Sequence, residues 1–202
     1  MMRWLGKEEN RSMWDEAWQK ARLSDVTLAT DAVDRLVSRL AYSYGNGEVI
    51  FRQYRISGPE GDTRSQNVSK HFSVRDHLLD FLRRPELREN LSEVAAEVRG
   101  VEGLMLEKIT AFHLIADLAA ALHAGGAYLP RYDVPGEEAL LHAKEFFEAL
   151  YGAGGYQYSP LTIWRGATKW SSWFCNIAWD GAWYLHDSRR NIVTVLLATD
   201  TD

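Results

Sequence analysis

Four residues in this 202-residue sequence carry the most direct chemical potential: Cys175 with His186, and His113 with Asp117. Cys175 and His186 lie at matched distances on either side of Asp180-Gly181, a dipeptide that reads as a two-residue turn between antiparallel strands. That register sets the thiol opposite the imidazole, the pairing that activates a nucleophilic cysteine. It also aims both groups at the core face, where a free cysteine behaves as a small inert hydrophobe. His113 and Asp117 are four residues apart in an apolar stretch, so a helix would let the carboxylate orient the imidazole, with Thr110 on the same polar arc. No serine or cysteine is tied to them by spacing, and with Glu102 the same residues read equally as a wet helix stripe. These two pairs define a small hydrolase-type reading.

Aromatic residues supply a different chemistry. Of eight tryptophans, five fall at 164, 170, 173, 179 and 183. Trp164, Arg165, Lys169, Trp170 and Trp183 form the candidate binding set, because tryptophan and arginine most often anchor interfaces and also line ligand clefts. The alternative is that all five rings complete a core. At the end of the sequence Asp200 and Asp202 could offer oxygens to a hard cation, but no companion ligands accompany them, and a solvated tail is expected. Phosphate-binding glycine patterns, a nucleophile elbow and His-Glu metal helices are missing from the sequence, and no cofactor is expected.

The elements that must position these residues follow from periodicity. Helices are expected over about 8–22, from Ser24 or Thr30 to the Asn46-Gly47 stop, and from a Ser73/Asp76 capping box to Arg84. Further helices are expected from Pro85 to Gly100, from Leu104 to His123 as the central buried helix, and from Gly136 to Tyr151 with Leu140, Ala143, Phe146, Phe147 and Leu150 inward. Glu48 to Ile56 reads as a strand, with Asn67 to Phe72 as a returning partner. Trp173–Trp179 and Ala182–Asp187 read as a hairpin through Asp180-Gly181, followed by Ile192–Thr199 with Asp187 facing Ile192. The face bearing Cys175, Ile177, Trp179, Tyr184, His186, Val193, Val195 and Leu197 is expected to meet the helices. The opposite face, with Trp183 and Leu196, is apolar for a solvated surface.

This pattern predicts one α+β domain over 1–202. Residues 1–155 are mainly helical, with a strand pair near 48–72, and 156–202 form an antiparallel meander. Five or six helices cover a C-terminal antiparallel sheet of three to five strands. Hydrophobic residues make up 46% and charged residues 25%, the balance of a globular chain. No signal peptide or eighteen-residue apolar run is readable, which predicts a cytoplasmic protein without membrane association, and the single cysteine rules out an internal disulfide. The net charge is −5, with the acid surplus concentrated between residues 73 and 155. Such a surface disfavours nucleic acid and suits a basic protein partner. The sequence thus points to a protein-binding module, such as an immunity protein or antitoxin that neutralises a basic toxin or nuclease. The hydrolase-type enzyme and a small-ligand sensor are the alternatives.

Overall fold

A computed structural model of the chain describes residues 18–58, 75–91, 105–127, 134–157, 159–166, 168, 170–175 and 177–200. Most of the helix expected over 8–22, the returning strand at 67–72, Ser73, the region from 92 to 104, Lys169 and Asp202 lie outside the described residues. The architecture is α+β. Six antiparallel strands, β1 (Arg22–Asp25), β2 (Glu48–Ser57), β3 (Leu106–Ile109), β4 (Leu161–Gly166), β5 (Gly181–Asp187) and β6 (Ile192–Thr199), form one sheet in the order β1-β2-β6-β5-β4-β3. The described helices are α1 (Asp31–Ser43), α2 (Arg75–Leu82), α3 (Pro85–Asn90), α4 (Ala111–Ala124) and α5 (Gly136–Tyr151).

The sheet exceeds the expected three to five strands and draws on the whole chain. Residues 22–25 form a strand at the junction of two expected helices, 106–109 are a strand where helix was expected, and α4 starts only at Ala111 behind the cap Thr110. The β5–β6 hairpin follows the expected register, with Asp187 opposite Ile192. Its turn is held by Asp187, whose Oδ1 accepts the Arg189 and Arg190 amides at 2.9 and 3.0 Å, while Asn191 takes φ 55°, a left-handed geometry that asparagine tolerates. The Asp180-Gly181 hairpin is overturned. The Asp180 amide donates to the Ile177 carbonyl at 3.2 Å, and the Asp180 carboxylate accepts the Ile177 amide at 3.2 Å and the Thr199 hydroxyl at 2.7 Å, so this turn closes on itself. The edge of β5 is taken instead by the distant β4, which adds Ile163 to one buried face and Trp164 to the other.

Both faces of the sheet are covered. On one, Phe51, Ile163, Trp183, Leu185 and Leu196 pack under α1, α4 and α5, and the Phe51 and Phe146 rings meet edge to face at 5.6 Å. On the other, Tyr54, Trp164, Tyr184, Val193 and Val195 pack against α2, α3, Trp18, Trp170 and Phe174. The expected orientation is therefore reversed: the Trp183–Leu196 face meets the larger helical layer, and the Tyr184–Val195 face lies under the smaller one. This double burial accounts for β6, whose eight residues are all buried. A strand covered on both sides reads as a continuous apolar run instead of an alternation, and each fully buried large side chain contributes roughly 1.5–3 kcal/mol. On α5, Ala143, Phe146, Phe147 and Leu150 point inward as expected, but Leu140 is 52% exposed.

Candidate functional site: a groove at one end of the sheet

The register of three strands builds the site. Glu107 on β3 faces Arg165 on β4, and Arg165 faces Trp183 on β5, so the three stand in one row on the side of α4. Above them α4 contributes Asp117. One guanidinium nitrogen, Nη1 of Arg165, lies 3.2 Å from both Asp117 carboxylate oxygens, and Nη2 donates to Glu107 at 2.6 Å. Its hydrogen bond to Glu107, then the Asp117 charge, raises the Arg165 pKa above its ordinary value. Asp117 Oδ2 also accepts the Trp183 indole N–H at 3.5 Å.

Beside this row runs a groove of about 350 Å³, bounded by α4, the ends of β4 and β5 and the turn at Trp179–Asp180. Its width comes from missing side chains. Ala120, Ala121 and Ala124 face it from α4, and Gly166 and Gly181 from the strands. Gly181 is required: a Cβ there would lie 2.3 Å from the Trp183 ring, which lies over it. At the far end Tyr44 is buried, and burial, followed by the charges of Asp200 and Asp180, pushes its phenol pKa well up. Among the described residues the charged groups lining the groove are Asp117, Asp180 and Arg165, two carboxylates against one guanidinium.

The expected tryptophan cluster is divided by the sheet. Trp164 (5% exposed) and Trp170 (1%) are core residues of the face under α2 and α3, and neither presents a ring to solvent. Trp183 is also buried at 5%, yet with Arg165 it lines the groove, and the half-buried Trp179 stands at the rim. Two of the candidate binding residues therefore meet in one site. The alanine run of α4, read as a central buried surface, was the available signal for this groove.

The catalytic pairings dissolve. Cys175 is exposed, and its amide donates to Thr199 Oγ1 at 3.4 Å, whereas His186 is buried opposite Thr162 and Val193. Burial pulls the His186 imidazole down to about 4, with Asp187 acting in the opposite direction. His113 and Asp117 share α4, but their partners diverge: His113 Nδ1 lies 2.9 Å from Thr110 Oγ1, and Asp117 is engaged by Arg165 and Trp183. Asp200, expected in a solvated tail, is fully buried and accepts the Ala127 amide at 2.7 Å. Among the described residues no group of three or more metal-ligating side chains assembles, and no helix is long and apolar enough to cross a membrane. No family model, curated protein or solved structure matches the chain.

A second surface lies on the outer side of α1 and α5. Arg35 pairs with Glu145 at 2.7 Å, Arg39 with Glu138 at 3.5 Å and Lys144 with Glu148 at 3.8 Å. Every lysine and arginine of these two helices is thereby matched, and Asp31, Asp34 and Glu137 remain as surplus negative charge. Leu140 and Leu141, 52% and 50% exposed, stand on the same helix as Glu137.

Proposed function

We propose that this chain is a cytoplasmic protein-binding module whose partner is a basic protein, and that it works by occupying that partner, as an immunity protein or antitoxin occupies a toxin or nuclease. The observation that supports this reading is the surface of α1 and α5, which carries surplus carboxylates on both helices and two half-exposed leucines on α5. Negative charge accelerates encounter with a basic partner, and apolar side chains at the centre of a contact supply its desolvated anchor. Leu140 and Leu141 leave about half of their surface in water, while the core side of this helix is supplied by Ala143, Phe146, Phe147 and Leu150.

Affinity capture from the native cells, at low and at physiological salt, tests the reading. The expected result is a basic protein whose recovery falls with salt and is lost in a Leu140→Asp/Leu141→Asp variant of unchanged thermal stability. Recovery of no basic protein, or capture indifferent to both salt and the double substitution, would sink it.

A further inference from the structure

The groove beside Asp117 concerns a different part of the molecule and goes beyond the protein-binding reading. We propose that it is a binding site for an organic cation, an alkyl-guanidinium or alkyl-ammonium group, held between the Trp179 ring and the carboxylates of Asp117 and Asp180.

Three features support this choice of ligand. The first is charge: among the described residues two carboxylates line the groove against one guanidinium, and Glu107 adds a third carboxylate beside that guanidinium. The second is the state of Arg165. Its Nη1 and Nη2 already donate to Asp117 and Glu107, so the positive charge an incoming anion would meet is offset by two carboxylates. A cation finds carboxylates with remaining acceptor capacity, since each oxygen has two lone pairs and Asp180 spends one on the Thr199 hydroxyl and one on the Ile177 amide. The third is the indole. The half-buried Trp179 ring borders the groove, and a tryptophan face is the best side-chain partner for a cation. A volume of about 350 Å³ suits one such group with part of its alkyl chain.

Arg165 also gives the test its sign. Isothermal titration of the full chain with agmatine should show saturable binding at one site, with acetate and phosphate giving none. Asp117→Asn should weaken agmatine binding about tenfold, and Arg165→Gln, which removes the resident positive charge, should strengthen it. A gain in affinity cannot arise from a variant that fails to fold. A short peptide with one central arginine separates the two sources of the cation. Binding as tight as agmatine assigns the site to a side chain of a partner, and weaker binding assigns it to a free amine. Absence of saturable agmatine binding overturns the proposal, as does the opposite sign, with Arg165→Gln weakening binding or phosphate occupying the groove. Agmatine binding without any captured protein would retain this site while removing the protein partner proposed above.

Discussion

Asp117 and Arg165, 48 residues apart in sequence, meet through a single guanidinium nitrogen that lies 3.2 Å from each carboxylate oxygen. The contact joins α4 to β4 at the mouth of the groove. It also withdraws Asp117 from His113, the residue with which its helical spacing had matched it. The side chains of the pair are 47% and 22% exposed, so water screens it and its strength is that of a surface ion pair. A double-mutant cycle with Asp117→Ala and Arg165→Ala, read by chemical denaturation, should give a coupling of about 0.5 kcal/mol. Strict additivity would show that the contact adds nothing to stability and would refute the predicted coupling.

The buried imidazole of His186 makes stability depend on pH. Burial holds its folded pKa at about 4, below the ordinary 6.5. The unfolded chain therefore binds the proton more readily, and stability rises with pH through that window. The contribution is fully present above pH 6.5 and is lost as the pH falls toward about 4, a difference of roughly 3 kcal/mol. Urea midpoints measured across this range should flatten in His186→Gln relative to the parent chain. Parallel curves for the two proteins would refute the assignment.

Gly126 sits where the ends of three elements converge. Its amide donates to the Ser43 carbonyl at the end of α1 at 2.7 Å, and Asp200, just beyond β6, binds the next amide. A Cβ at Gly126 would lie 2.1 Å from Asp200 Oδ2 and 2.5 Å from the Ser43 carbonyl oxygen. Gly126→Ala should cost about 2 kcal/mol or more. Gly154→Ala, where a Cβ meets nothing within 4 Å, should be close to neutral. Equal melting temperatures for the two variants would contradict this packing.

Cys175 should be modified by iodoacetamide in the native protein, one label per chain, because it is exposed and is the single cysteine. His186→Gln should leave the alkylation rate unchanged, since the imidazole is buried opposite Thr162 and Val193. A rate that falls with that substitution would restore the thiol–imidazole pairing that the register excludes.

What was legible in the sequence was local. Thr30 caps α1, Gly136–Tyr151 is helical at the expected bounds, and β5 and β6 pair with Asp187 facing Ile192. In each case a cap, a period or a short turn specifies the element by itself. The Asp180-Gly181 turn carried an equally strong local signal and still gave way, because pairing β5 with β4 buries Ile163 and Trp164 on opposite faces. No hairpin rule contains that gain, which depends on residues far apart in sequence. The groove was hidden for the same reason. Arg165 and Trp183 could be named as binding candidates, but their adjacency needs the β4–β5 register, and the match with Asp117 needs α4 laid across it.

The position of β6 has a consequence for how the protein is made. Among the described strands it comes last in sequence, yet it stands between β2 and β5 and joins the early half of the sheet to the later half. During synthesis β2 leaves the ribosome with one flank unpaired and waits for residues 192–199 before that edge is closed. A message truncated before residue 192 would therefore yield two disconnected half-sheets with open edges, a product for the degradation machinery with no residual share of the folded protein's work.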